Sequence, residues 1–256
     1  MILNALASLY DRLYPTGKVP DFGFSEENIG FVVNIDKDGN LLGQPEDLRT
    51  KIKANTFEYK TSFVPYTNQV NVRSSSAAKV ANFMVDKADY VFGMSGKDKK
   101  TVHHESFVKR IEEVCGDNDD EGIVAVRNFL KKWEPADSLN LEWWEEISGS
   151  HGKFVAFRLQ GDKCFVHERP VVRELWSRYL AKDKGETGIC LLDGQEHELQ
   201  SQFAQFKVGS GSGASLISFN KNAYESYGKK RGENAPLSVE GEFRISTALK
   251  YLLRSR

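Results

Sequence analysis

The residues best equipped for chemistry lie between Gly209 and Pro236, in the run GSGSGASLISFNKNAYESYGKKRGENAP. A Gly/Ser loop permits positive φ and close backbone approach to a partner. The amides and amines that follow can reach phosphates or base edges, and Tyr224 and Tyr227 offer flat faces. That is the repertoire of a surface lying against nucleic acid. The glycines do not fit the usual catalytic or phosphate-binding loops. A P-loop needs Lys-Ser/Thr after its last glycine, and here Ala214-Ser215-Leu216 follows. A dinucleotide fingerprint opens a helix, whereas ASLISF reads as a strand. A nucleophile elbow has Ser at its centre, and the centre of this loop is Gly211.

A second polar run, TNQVNVRSSSAAK from Thr67 to Lys79, carries Asn68, Gln69, Asn71, Arg73 and Lys79 among small residues. Its chemistry matches that of the first run, although composition alone fits a neutral surface loop equally well. The acidic run DNDDEG (Asp117–Gly122) resembles the opening of a calcium loop, but its twelfth position is Asn128 in place of a bidentate Glu. A helix-start cluster, with carboxylates at the positive end of the macrodipole, is the better reading. His103, His104, His151, His167 and His197 form no HExxH and no His-Asp doublet, so structural or surface roles are expected for them. Cys115, Cys164 and Cys190 are widely spaced and odd in number, which supports neither a disulfide framework nor a zinc site. No metal and no cofactor is expected.

The formal net charge of -1 conceals a polarised chain. From His103 to Ser150 there are 12 acidic and 5 basic residues, and from Gln200 to Arg256 there are 9 basic and 4 acidic. A basic C-terminal quarter suits an anionic partner, and the acidic middle suits water or a basic protein neighbour. The N-terminal run MILNALASLYDRLY has no basic leader, and no window approaches 18 apolar residues, so a soluble, cytoplasmic protein without membrane contact is expected.

Ile2, Leu3, Leu6, Leu9, Tyr10 and Leu13 recur at helical spacing and predict a first helix ending before Pro15. Asn28 to Ile35 reads as a strand, Asp36 to Asn40 (DKDGN) as its turn, and Leu41-Leu42 as the return. FEYKTSFVPY and ADYVFG are β-rich. From Thr101 to Ile147 the pattern is helical, with Phe107, Val108, Ile111 and Val114 on one face, then Ile123, Val126, Phe129, Leu130 and Trp133 on another. Trp143 and Trp144 are expected to anchor a short third helix. After the turn GSHGK (Gly149–Lys153), KFVAFRL, KCFVHE and TGICLL read as strands interrupted by a helix from Val171 to about Leu180. A last helix from Leu237 to Arg256 has no terminating Gly, Asn or Pro, which predicts that it is cut off. The fold class is α+β: mixed, largely antiparallel sheets with a helical insert in the middle. Three subregions are expected: a β-rich one over 1–100, an acidic helical one over 101–150 and a basic α/β one over 151–256.

The series GSGASLISFN, AYESYG and GENAP, followed by TALKYLL, resembles the N-terminal half of the large subunit of type I-C (Dvulg subtype) CRISPR interference complexes, the Csd-one or Cas-eight-c family. MILNALASLYDRL, VPYTNQVNVRSSSAAKVANFMVDKADYVFG, FLKKWEP, FVAFRLQGDKCFVHERPVVRELW and GICLLDGQEHEL agree in order, so the resemblance covers nearly the whole chain. Ile245 and Lys250 depart from its pattern around TAL.

The resemblance implies an N-terminal domain without the family's C-terminal helical bundle, in a non-catalytic subunit of an RNA-guided Cascade complex. Its implied partners are the guide CRISPR RNA, contacted near the 5′ end, and duplex target DNA with its protospacer-adjacent motif. Backbone and guide-capping subunits, a small subunit and a recruited helicase-nuclease complete the set. Gly209, Ser210, Gly211, Ser212 and Gly213 become candidates for groove approach or strand wedging. Asn68, Gln69, Asn71, Asn220, Asn222 and Asn234 become base-edge candidates; Arg73, Lys221, Lys229, Lys230 and Arg231 become phosphate contacts. Each has a plainer competitor: Asn234 as a turn residue, Asn220 as the close of a strand, the basic triplet as a site for guide RNA or an acidic subunit. A metal-dependent nuclease or RNA-processing enzyme using His103 or His104, and a scaffold that binds only protein, remain the alternatives.

Overall fold

The computed structural model describes residues 2–54, 56–66, 80–182, 185–206, 213–219 and 221–254. The chain begins with α1 (Ile2–Leu13), followed by β1 (Phe24–Ile35), β2 (Glu46–Asp47), β3 (Thr50–Lys53), β4 (Thr56–Glu58) and β5 (Lys60–Pro65). Next come α2 (Ala88–Val91), β6 (Met94–Ser95), β7 (Asp98–Lys99), α3 (Thr101–Cys115), α4 (Glu121–Lys132) and α5 (Trp144–Ser148). The remainder is β8 (Phe154–Leu159), α6 (Pro170–Leu180), β9 (Thr187–Ile189), β10 (Glu196–Glu198), β11 (Gln205–Phe206), β12 (Ala214–Ser215) and α7 (Val239–Arg254). The class is α+β, as the sequence implies.

Two compact units emerge, one formed by Met1–Gly23 with Leu180–Arg256 and the other by Phe24–Tyr179. The first and last segments of the chain therefore belong to one unit.

In the unit Phe24–Tyr179, β1 is the central strand. It pairs antiparallel with β5 over 24–29 and with β2 at Phe31 and Val32, and parallel with β8 over 29–35. Strand β1 is largely buried, as a strand covered on both faces must be, and Ile29, Val32, Val64, Val85, Ala156 and Phe165 form one cluster of the core. On α4, Phe129 meets Phe157 of β8 edge-on at 5.5 Å and stacks on Trp133 at 5.2 Å. The GSHGK turn packs tightly here: a Cβ on Gly30 would sit 1.9 Å from the Gly152 carbonyl oxygen, so only glycine lets β1 pass this turn. The DKDGN turn forms as its residues dictate, with Asp36 Oδ1 accepting the Asp38 and Asn40 amides and Gly39 at φ +81°. Leu41 bridges back to Ile35.

Asp120 is the N-cap of α4, its Oδ1 accepting the amides of Gly122 and Ile123 at 3.0 and 3.2 Å. Its Oδ2 takes Nε and Nη2 of Arg169, tying the helix start to the residue just ahead of α6. The acidic run is thus the helix-start cluster its composition suggests.

Three local expectations are corrected. ADYVFG forms the helical turn α2 instead of a strand; Asp86 accepts the amides of Asn82 and Lys87 at its approach, and only Asp86 bridges β8, at Val155. KCFVHE holds a 3-10 turn, Val166–Glu168, because the Glu168 carboxylate reaches back to the Phe165 amide at 3.0 Å just before Pro170 opens α6. Trp144 is buried, with Nε1 donating to the Gly96 carbonyl at 2.8 Å, but Trp143 is 51% exposed at φ +64° and anchors nothing.

In the other unit, α1 lies against α7. Leu6, Ala7 and Tyr10 pack with Leu237, Phe243, Ile245 and Ala248, and the Tyr10 hydroxyl donates to the Pro20 carbonyl at 2.8 Å. Burial pushes the Tyr10 phenol well above its ordinary pKa, and the neighbouring Tyr14 adds to the rise. β9 and β10 form one hairpin and β11 and β12 another, both antiparallel.

Candidate nucleic-acid interface

The Gly/Ser run connects β11 to β12, which pair Gln205 with Ser215 and Phe206 with Ala214. Gly209, Ser210, Gly211 and Ser212 lie outside the described residues; Gly213 is the first described residue on the far side. The near side is anchored, because the buried carboxylate of Glu242 on α7 accepts the Ala204 amide at 2.9 Å. A two-residue ladder is a weak hairpin by itself, so this bond helps hold β11 in place.

Beyond β12, Asn220 and the side chain of Asn222 also lie outside the described residues, as do Asn68, Gln69, Asn71 and Arg73. Lys221 is exposed, and Asn222–Tyr224 makes a 3-10 turn. Ser226 and Lys229 bridge antiparallel around Tyr227 and Gly228, with φ +52° and +73°. The Lys229 amide donates to the Ser226 carbonyl at 2.9 Å. Two successive positive φ values closed by that bond describe a two-residue hairpin turn of the primed hand, where Asn-Gly would be the easy choice. Tyr at the first position costs about 1 kcal/mol.

Asn234 holds this turn together. Its Oδ1 accepts the Ser226 amide at 3.2 Å, and its Nδ2 donates to the carbonyls of Lys229 at 2.9 Å and Arg231 at 3.2 Å. Both ends of the amide are engaged with backbone, so in this structure Asn234 positions the basic triplet. Gly232 then presses on the chain at Gln200, where a Cβ would lie 2.1 Å from the carbonyl oxygen, and its amide donates to Ser201 at 3.2 Å. Glu233 caps the 3-10 turn Arg231–Asn234 by accepting the Lys230 amide at 2.9 Å. Lys221, Lys229, Lys230 and Arg231 are all exposed, and among the described residues none of them makes an ion pair. Within Lys221–Asn234 they outnumber Glu225 and Glu233 by four to two. A braced turn carrying unpaired cations and exposed aromatic rings can hold phosphates and stack on bases.

His103 and His104 are placed by packing. His103 stacks on Tyr90 with rings 4.6 Å apart, and its Nδ1 is 2.8 Å from Asp89 Oδ2; His104 Nδ1 meets the Tyr90 carbonyl at 3.0 Å. Both tie α3 to α2. Among the described residues, no three His, Cys, Asp or Glu side chains gather as metal ligands would.

One buried cluster had only a faint trace in the sequence. His167 is fully buried with Nε2 2.9 Å from Ser62 Oγ, and the Ser62 hydroxyl donates to Glu168 Oε1 at 2.7 Å. Ser62 has one proton and gives it to Glu168, so His167 must donate from Nε2 and leave Nδ1 bare. Among the described residues Nδ1 has no partner. Desolvation drives the His167 pKa down to about 4; for Glu168 desolvation is the largest single influence and pushes upward, but the hydrogen bonds from Ser62 and Phe165 together with nearby positive charge, Lys60 included, hold its carboxyl below the usual range. A nucleophilic serine must give its proton to the imidazole; here the imidazole donates to the serine. The arrangement brackets β5 to the 3-10 turn before α6. A cleft of about 270 Å³ opens beside it, lined by Glu26, Thr61, Ser62, Phe63, Glu168 and Arg173, with two carboxylates against one guanidinium. That charge balance does not suit a polyanion. The adjacent His167-Glu168 pair was visible in the sequence, but nothing there brought Ser62 to it.

No helix among the described residues is long and apolar enough to cross a membrane. No curated protein matches the chain in a sequence comparison. A family model does, that of CRISPR-associated protein (Cas_Csd1), over residues 6–256. With nearly all of its length matched, from the second turn of α1 through α7, the chain belongs to the Cas_Csd1 family of CRISPR-associated proteins.

Proposed function

We propose that this chain is a non-catalytic, DNA-recognising part of the large subunit of a type I-C CRISPR interference complex. It reads the protospacer-adjacent motif in duplex DNA, helps part the strands for guide pairing and contacts the guide 5′ end. Family membership supports the CRISPR setting, in which guide pairing reads the target and protein need inspect only a few base pairs. The observation that carries the nucleic-acid reading is the turn Ser226–Asn234, which presents Lys229, Lys230 and Arg231 exposed, and without an ion pair among the described residues, on a backbone braced by Asn234. Arg73 and Lys221 join them as phosphate contacts. Gly209–Gly213 approach the groove, and Asn68, Gln69, Asn71, Asn220 and Asn222 supply the amides that read base edges. Asn234 takes the positioning role. The neighbours are the guide RNA, the backbone and guide-capping subunits, the small subunit and the recruited helicase-nuclease, in the cytoplasm.

The test is binding of the assembled complex to duplexes with and without the motif. Replacing a base-reading amide by Ala narrows the preference by about 1–3 kcal/mol for each bidentate contact. If all five single replacements leave the preference unchanged, the amides do not read the motif. Metal-dependent cleavage by the purified chain, abolished at His103 or His104, would instead favour an enzyme.

A further inference from the structure

We infer that Tyr227 is a base-stacking residue, which inserts its ring against an unpaired or end-exposed base of the target DNA while the neighbouring cations hold the backbone. The inference rests on the nucleic-acid reading of the preceding subsection and adds to it a residue and a mode of contact.

Tyr227 is 97% exposed, against 51% for Tyr224. A tyrosine ring this exposed gains almost no burial energy, yet this one occupies a position where φ is +52° and Gly or Asn would be the unstrained choice. The strain is held by the Ser226–Lys229 bridge and by the three hydrogen bonds of Asn234, so the ring is presented at the tip of a fixed turn. Lys229, Lys230 and Arg231 follow after Gly228, and Lys221 precedes. An aromatic face beside cations that follow a phosphate backbone is the combination that binds nucleic-acid strands, because every base has a π-face and each nucleotide a charge. The same cations argue against an apolar protein patch as the ring's partner, since burial there would strip their solvation without return. A duplex interior offers the ring no open face, so the contact belongs where strands part.

The test uses the assembled complex on motif-bearing duplex, with Tyr227→Ala, Tyr227→Gly and Tyr227→Phe. Glycine relieves the positive φ and keeps the turn, so loss in both the Ala and Gly variants assigns the effect to the ring and not to folding. Stacking on one base predicts about 5- to 150-fold weaker DNA binding for Ala and Gly, near-native binding for Phe, and an unchanged salt slope in all three. Photocrosslinking with 5-iodouracil placed in the DNA strands beside the motif should give an adduct at Tyr227. Native affinity in the Ala and Gly variants, or an adduct only when iodouracil is placed in the guide RNA, overturns the inference. The reading beneath it fails separately: if removing Lys229, Lys230 and Arg231 leaves the salt slope unchanged, this segment does not lie on nucleic acid.

Discussion

Acid should destabilise the unit Phe24–Tyr179 through one buried imidazole. His167 stays neutral in the fold with a pKa of about 4, whereas in the unfolded chain it returns to about 6.5. Unfolding therefore takes up a proton between those values. The stabilising difference is fully present above the unfolded pKa and is lost as pH falls toward the folded one. The full shift corresponds to about 3 kcal/mol, at 1.36 kcal/mol per unit. Glu168, also depressed, adds loss of the same sign at lower pH. Replacing His167 by Phe keeps a ring beside Phe165, removes the titrating group and leaves Ser62 able to donate to Glu168. The four tryptophans, Trp133, Trp143, Trp144 and Trp176, all fall within this unit, so urea unfolding followed by their fluorescence places the probe in it. The wild type should lose about 3 kcal/mol more than His167→Phe between pH 7.5 and 4, whatever the variant's stability at pH 7.5. Parallel pH profiles for the two proteins would refute both the neutral state and its cause.

Asp120→Ala should cost about 1–2 kcal/mol by tryptophan-monitored unfolding, because it removes the α4 cap and one of the carboxylates of Arg169. Asp120→Asn should recover most of the capping part. Glu242→Ala strands the buried Ala204 amide and should speed its hydrogen exchange by the equivalent of about 1–3 kcal/mol, while Glu242→Gln, which still offers an acceptor, should speed it less. Asn234→Ala should speed exchange of the Ser226 amide by about 5- to 10-fold, as expected for losing one hydrogen bond of about 1 kcal/mol, and loosen the turn that carries the basic triplet.

Long periodic segments were legible in the sequence. The helices from Ile2, Thr101, Glu121, Pro170 and Val239 lie where their apolar spacing places them, since an amphipathic stripe over three turns has one good way to be buried. Short apolar runs were not. ADYVFG and KCFVHE hold too few residues for period to decide, and the side chains of Asp86 and Glu168 settled both as turns. Adjacent Trp143 and Trp144 look alike in sequence, but a positive φ at the first turns them to different surroundings. The parallel pairing of β1 with β8 and the meeting of Ser62 with His167 join residues more than a hundred positions apart, which no local pattern records. At the candidate interface, the run of amides and cations was visible as composition. That Asn234 bonds backbone at both ends, while the cations after Tyr227 stay exposed, follows from a turn whose residues disfavour it locally.

The claim that the basic turn lies on DNA is tested most directly by salt. Binding of the assembled complex to motif-bearing duplex should be measured from low to near-physiological salt, for the native protein and for a variant with Lys229, Lys230 and Arg231 all replaced by Ala. Loss of three phosphate contacts, each of which releases counterions on binding, predicts a slope of log K against log salt shallower by about 2.7 in the variant. Identical slopes would take the turn off the nucleic acid.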